Sequence, residues 1–235
     1  MIDADKDLST QFPNIDNKEA MDSFRETMAS SQALMSRYRC AIMEVETKFR
    51  VLNEQFSLQH DRNPIESIKT RLKSPESIVK KLKKHGREST IENMVEYIND
   101  IAGVRIICSF TSDIYRIAEM LRNQNDIKVL SIKDYIKTPK PSGYKSYHMI
   151  VSIPIFLSDR VADTKVEIQI RTVAMDFWAS LEHKINYKFE GNAPDSIKRE
   201  LVECSKMVSD LDERMLSLNE EVTKYKEKEL EAKEA

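Results

Sequence analysis

Lys165-Val-Glu-Ile-Gln-Ile-Arg171 alternates apolar and polar side chains at every step, the period of a strand with one buried face. Val166, Ile168 and Ile170 fall on one side, and Lys165, Glu167, Gln169 and Arg171 on the other. Val104-Arg-Ile-Ile-Cys108, bounded by Gly103, is β-branched and predicts a second strand. Residues 127–132 and 147–155 predict two more, and the loop Thr138-Pro-Lys-Pro-Ser-Gly143 precedes the last of these. Around them the periodicity turns helical. Met35, Tyr38, Ile42, Val45, Phe49, Leu52 and Phe56 recur at steps of three and four within a helix expected over 18–59. Asp61-Arg62-Asn63-Pro64 then breaks the chain. Ser74-Pro75 starts a helix that stops at Gly86, with Ser at the cap and Pro in the first turn. Further helices are expected at 90–99, at 111–124 (capped by Thr111 or Ser112), at 172–187 and, after a break at 191–194, from 195 onward. The pattern predicts an α+β fold, a mixed β-sheet core flanked by helices, with long N- and C-terminal helices.

Composition narrows the classes. Gly (4) and Pro (7) are scarce among 235 residues, which argues against collagen-like, low-complexity and turn-rich all-β chains. A chain of this length buries enough surface to need no disulfide or metal to hold a core. Charged residues make up 32%, yet 37 Lys and Arg against 39 Asp and Glu leave a net charge of -2. Any basic binding surface therefore has to be local. Cys40, Cys108 and Cys204 form no CxxC pair and no zinc-spaced cluster, and their sparse, odd number suits a reducing compartment. The N-terminus is acidic, with no apolar run behind it. The most apolar stretch, 150–157, is far short of the ~20 residues that cross a bilayer. A soluble, cytoplasmic protein is expected.

Three stretches carry candidate chemistry. Between Lys69 and Arg87, eight Lys or Arg stand against one Glu. Arg71 and Lys73 lie just before a capped helix start, a favourable setting for phosphate, although a basic run also serves as a plain solvated face. On the polar face of 165–171, Glu167 pairs in kind with Asp100, which precedes the strand at 104–108 and its Arg105. Two carboxylates at neighbouring strands, facing Lys and Arg, are a usual way to hold Mg²⁺ against a polyphosphate. Finally, Lys137-Thr-Pro-Lys-Pro-Ser-Gly-Tyr-Lys-Ser-Tyr-His148 sets aromatic rings beside cations, an arrangement that stacks a base and neutralises its phosphates. No Ser/His/Asp or Cys/His set is present. From 195, Ile197, Leu201, Cys204, Val208, Leu211, Met215, Leu218, Val222 and Tyr225 form a heptad seam. It packs either on the chain's own domain or, in part, on another subunit.

Four ordered motifs resemble the RelA/SpoT-type synthetase domain: Asp100-Ile-Ala-Gly-Val-Arg105, Gly143-Tyr-Lys-Ser-Tyr-His148, Val166-Glu-Ile-Gln-Ile-Arg-Thr172 and Asp176-Phe-Trp-Ala-Ser-Leu-Glu-His-Lys184. In length and flanks the chain is similar to the small alarmone synthetases of bacteria. The resemblance implies a nucleotidyltransferase-like synthetase fold over 18–190, a flexible tail at 1–17, and a helix at 191–235 for packing and oligomerisation. It implies transfer of a pyrophosphoryl group from ATP to the 3′-hydroxyl of GTP or GDP, giving (p)ppGpp and AMP in the stringent response. By the same resemblance, Asp100 and Glu167 bind Mg²⁺, and Glu167 also takes the hydroxyl proton. Arg71 and Arg105 sandwich adenine, and Lys73, Lys81 and Lys84 contact the ATP phosphates. Tyr144 stacks on guanine, with Lys140, Ser142, Lys145, His148 and Gln169 on the acceptor side. Position 145 is Lys where many relatives have Arg, which loses a planar two-pronged donor. The resemblance also implies a homotetramer. The dipeptide His60-Asp61 matches the metal site of the hydrolase domain in longer relatives, but the other histidines (85, 148 and 183) are scattered and no hydrolase activity is expected. The alternative reading is a non-catalytic regulator that binds nucleotides or single-stranded RNA. Such a binder has no use for Asp100 and Glu167, since acids repel phosphate when no metal lies between.

Overall fold

The computed structural model describes residues 17–60, 62–189 and 192–234. The tail expected at 1–17 therefore lies outside the described residues but for Asn17, and so do Asp61 and Gly191 of the two expected breaks. The chain divides into two compact units, residues 1–36 and 37–235. In the first, the described residues belong to the opening of α1 (Asn17–His60). The second holds the rest of α1 and every later element.

The sheet is built from β1 (Ile65–Leu72), β2 (Ala102–Cys108), β3 (Lys128–Asp134), β4 (Tyr147–Phe156) and β5 (Val161–Thr172). Their spatial order is β1-β2-β5-β4-β3, with β2 and β5 parallel and the other neighbours antiparallel. The helices are α2 (Pro75–Lys84), α3 (Ile91–Tyr97), α4 (Thr111–Arg122), α5 (Val173–Lys188) and α6 (Asp195–Glu234). This is the expected α+β class with a mixed sheet.

β1 is a correction. The sequence reading placed no strand before residue 100, and its polar pattern conceals one. Ile65-Glu-Ser-Ile-Lys-Thr-Arg-Leu72 is an edge strand whose pairing with β2 shifts register between Ile65 and Ser67. A bulge there breaks the two-residue period, and Ile65, Ile68 and Leu72 end up three and four apart, which looks helical. The cap of α4 also differs. Phe110 occupies it without a side-chain bond, and its N–H donates to Asp113 Oδ2 at 3.3 Å. Asp113 in turn receives both prongs of Arg62, at 2.5 and 2.9 Å.

Register explains why the sheet has two unlike faces. Val104 aligns with Ile168 and Met149, and Ala102 with Val166 and Val151, all fully buried. The other face carries two cross-sheet rows. One runs Lys69, Arg105, Gln169, His148, Lys133; the next runs Arg71, Gly103, Glu167, Ile150, Ser131. The row expected on α1 is buried from Tyr38 to Phe56, and Arg116 of α4 stacks on Phe56. Along α6 the heptad seam divides. Ile197, Leu201 and Val208 are half-buried, whereas Cys204, Leu211, Met215, Leu218, Val222 and Tyr225 are exposed, and the buried residue of this stretch is Ser205, one position beyond the seam.

Candidate active site

The polar face of the sheet opens into two cavities that share a pair of carboxylates. One, of about 220 Å³, is lined by Arg71, Lys73, Arg105, Asp100, Glu167 and Gln169 among others. The second, of about 280 Å³, is lined by Lys81, Lys133, Lys140, His148, Asp100 and Glu167 among others. Gly103 stands between Arg71 and Glu167 in the cross-sheet row, and its missing side chain leaves the floor of the first cavity open.

Helix α2 supplies part of the first side. Ser74 caps it, accepting from the Ser77 N–H at 3.3 Å, and Pro75 fills its first turn. Ile78 and Leu82 are buried, so the basic face of the helix is left toward solvent. Arg71, Lys73, Lys81 and Lys84 meet along a groove continuous with the first cavity. Lys73 and Lys81 each donate to Asp100 at 2.8 Å. Burial alone would push the Asp100 carboxyl up, but the two lysine bonds outweigh it and hold the group below the usual carboxylate range. Glu167 behaves similarly. Burial works against its charge, as does Asp100, yet bonds from His148 and Gln169 keep it below its ordinary range. Arg105 donates through Nη1 to Asp176 Oδ1 at 3.2 Å, while its buried Nε has no partner, a donor left over for a ligand.

The second side rests on the 135–148 segment. Tyr144 shares a 2.8 Å hydrogen bond with His148 Nε2, and Tyr135 packs edge-on against both rings. The Lys140 ammonium lies 4.7 and 4.8 Å from the Tyr135 and Tyr144 ring centres, within cation–π range. Gly143, with φ of 89°, makes the turn into Tyr144.

Most of the candidate residues are brought together. Arg71, Lys73, Lys84 and Arg105 gather on the first side; Lys140, Tyr144 and His148 gather on the second. Lys81, Asp100 and Glu167 sit between. Gln169 lines the first cavity rather than the second. Ser142 faces a separate cleft beside α5 and α6. Lys145 is turned to α6, where it donates to Ser209 at 2.5 Å. Sequence reasoning missed Lys69, Ser131, Lys133, Tyr135, Arg171 and Asp176 as parts of the site. Register alone reveals Ser131 and Lys133, through their pairing with Ile150 and His148.

Asp100 and Glu167 suit Mg²⁺ better than a metal that needs a full protein cage. Among the described residues no cluster of three or more His, Cys, Asp or Glu is placed to hold an ion. Mg²⁺ is usually held by one or two carboxylates, with water and substrate phosphates completing its shell. No helix among the described residues is long and apolar enough to cross a membrane.

Known proteins share the sequence and the fold of this chain. A family model described as a region found in RelA/SpoT proteins matches residues 70–192. The chain is 48% identical over 202 residues to GTP pyrophosphokinase YwaC of Bacillus subtilis, covering 86% of this chain and 96% of that protein. The structure of small alarmone synthetase 1 from Bacillus subtilis bound to its product pppGpp superposes with a TM-score of 0.76 at 36% identity, over 83% of this chain and 99% of that one. The same synthetase bound to AMPCPP gives 0.71 at 35% identity, again over 83% and 99%.

Proposed function

The chain belongs to the RelA/SpoT family, and from that we propose that it is a GTP pyrophosphokinase, a small alarmone synthetase that moves the pyrophosphoryl group of ATP to the 3′-hydroxyl of GTP or GDP. The products are (p)ppGpp and AMP. The observation that carries the reading is the pair of cavities meeting at Asp100 and Glu167. A transfer between two nucleotides needs two polyphosphates brought together, their repulsion offset at the meeting point. A plain binder needs one cavity and no carboxylates in it.

ATP occupies the first cavity, its adenine between Arg71 and Arg105 and its phosphates against Lys73, Lys81 and Lys84. The guanine nucleotide occupies the second, its base on Tyr144 and its phosphates near Lys140. Ser142 and Lys145 lie outside that cavity, and Gln169 reaches it only through its bond to Glu167. Bound by Asp100 and Glu167, Mg²⁺ supplies charge neutralisation for the polyphosphate. Glu167, ionised at neutral pH and paired with His148, accepts the 3′-hydroxyl proton. The lysines and arginines hold the chain of phosphates in line with that hydroxyl. The synthetase domain spans 18–190, and 191–235 serves packing and assembly. The exposed half of the α6 seam supports contact between copies of the chain, in a cytoplasmic homotetramer.

Glu167→Gln tests the reading. It keeps the size of the side chain and removes the charge. Losing such an electrostatic contact costs about 2–4 kcal/mol in the transition state. Chromatography of ATP incubated with GDP or GTP and Mg²⁺ should show AMP and (p)ppGpp for the wild type, and roughly 30- to 1,000-fold less for the folded variant. A folded Glu167→Gln protein keeping more than about a tenth of wild-type kcat would remove Glu167 from the chemistry.

A further inference from the structure

Arg171 is only 4% exposed, although strand parity puts it on the polar face with Glu167 and Gln169. A buried guanidinium is costly unless its donors are met. Here every nitrogen is engaged. Nε donates to Ser146 Oγ at 3.3 Å and Nη1 to Asp176 Oδ1 at 3.3 Å. Nη2 donates to the Tyr144 hydroxyl at 2.5 Å and to Gln169 Oε1 at 2.9 Å. The chain of contacts then continues. Gln169 Nε2 donates to Glu167 Oε2 at 3.0 Å. Glu167 Oε1 lies 3.7 Å from His148 Nδ1, and His148 Nε2 shares its bond with Tyr144. Arg171, Gln169, Glu167, His148 and Tyr144 thus form a closed ring of side chains.

We propose that Arg171, anchored by Asp176, is a positioning residue that holds Tyr144 and Glu167 in one rigid frame, so that the base stack and the carboxylate meeting the 3′-hydroxyl stay in register. The proposal rests on the function above, because only a transfer to a bound acceptor needs the two aligned. Arg171 sets the ring in two ways. By donating to Gln169 Oε1 it turns the amide NH₂ toward Glu167, an orientation the amide does not choose by itself. With His148 it grips the Tyr144 hydroxyl from a second direction and so fixes the ring. The planar fork does this from one buried point, which a lysine cannot. Asp176, 7% exposed, is fed by Arg171, by Lys69 at 2.8 Å and by Arg105 at 3.2 Å. Burial alone would raise its carboxyl; the bond from Lys69 and the charges of Arg105, Lys69 and Arg171 outweigh that and keep it ionised. The anchor of the acceptor-side frame is therefore also the partner of Arg105 on the ATP side.

The test uses the full chain with Arg171→Met, Arg171→Lys and Asp176→Asn. It combines steady-state kinetics with calorimetry, using GDP and a non-hydrolysable ATP analogue. A small misplacement of reacting groups costs roughly a hundredfold in rate. Arg171→Met is expected to lower kcat by about that factor and GDP affinity by roughly tenfold, with affinity for the ATP analogue within about twofold. Arg171→Lys should not rescue kcat, and Asp176→Asn should fall between it and wild type. Combined with Gln169→Leu, Arg171→Met should lower kcat no further than the worse single variant, the mark of one shared frame. Equal losses for both nucleotides in an Arg171 variant, additive losses in the pair, or unchanged kcat in a folded Arg171 variant would each overturn the proposal. If Arg171→Met does not fold, Arg171→Lys, which keeps the charge beside Asp176, decides by the same readings. A wild type that releases no AMP refutes the transfer itself; the GDP calorimetry still decides whether Arg171 positions Tyr144.

Discussion

Replacing Gly143 by Ala is expected to damage the guanine-nucleotide side while sparing the ATP side. Gly143 has φ of 89°, in the left-handed region. A Cβ there would lie 2.7 Å from Ser205 Cβ, 3.0 Å from its Oγ and 3.5 Å from the Trp178 ring. Non-bonded carbons rest about 3.5–4.0 Å apart. Ser205 Cβ is fixed to the α6 backbone, so no rotamer change clears the overlap. The left-handed conformation costs a non-glycine residue about 1–2 kcal/mol. Overpacking of this kind costs about 1–3 kcal/mol, so the sum is roughly 2–5 kcal/mol. A domain is stable by about 5–15 kcal/mol; the fold survives and the loop gives way. The Gly143 carbonyl accepts from Ser205 Oγ, and Tyr144 follows directly, so a shifted loop misplaces the stacking ring. Stacking is worth about 1–3 kcal/mol, so calorimetry should show GDP affinity falling roughly 5- to 150-fold, with the ATP analogue unaffected. Adding Ser205→Gly removes the two nearest atoms and should restore the part of the loss due to overlap, while the left-handed strain and the lost Ser205 bond remain. Wild-type GDP affinity in folded Gly143→Ala, or an equal loss for both nucleotides, would refute the reasoning.

Tyr144→Ala should weaken GDP binding by roughly 5- to 150-fold in calorimetry and leave the ATP analogue bound as before; equal losses would make the residue structural. Leu211→Asp with Leu218→Asp places charges on the exposed seam of α6 and should lower the mass seen by light scattering toward the 27.3 kDa of one chain. A wild type already monomeric at micromolar concentration removes the idea. Burial pushes the Asp212 carboxyl above its usual range, against the Thr172 bond and the Lys145 charge. A raised carboxyl costs stability once ionised, so this cost is absent below about pH 4 and complete above the folded value. Asp212→Asn, which still accepts from Thr172, should therefore raise Tm at pH 7 and leave it unchanged near pH 3; a lower Tm at pH 7 would contradict the assignment.

What could be read from the chain depended on how many neighbours enforce each pattern. β5 is central, its Val166, Ile168 and Ile170 are fully buried, and its alternation was plain. β1 is an edge strand with a bulge, and the same rule missed it. The candidate site followed the same logic. Asp100, Arg105 and Glu167 stand in or beside central strands, where parity assigns a face. Tyr135 belongs to the loop segment, and its contact with Tyr144 and His148 depends on how 135–146 folds back. Arg171 was placed on the right face, but its burial comes from α5, whose Asp176 meets it five residues later. Lys145 follows Tyr144 in the motif yet points to Ser209, because α6 packs beside that loop. Long-range packing of this kind leaves no local signature.

Asp100 explains how so many cations can wait in one place. Lys73 and Lys81, assigned above to the ATP phosphates, close on its two oxygens at 2.8 Å each. Their mutual repulsion is offset there, and their positions are set before any nucleotide arrives. Because the lysine bonds hold the Asp100 carboxyl below its ordinary range despite burial, the pairing contributes stability above about pH 4 and loses it as pH falls through the folded value. Asp176 does the same for Lys69, Arg105 and Arg171. Nucleotide binding at this site would thus be an exchange of partners. On the proposed function, phosphates would take the lysines and leave Asp100 and Glu167 as two like charges, each raising the other's energy, which a divalent cation held by both would offset. Metal and ATP binding would then reinforce one another, since each removes a cost that the other creates.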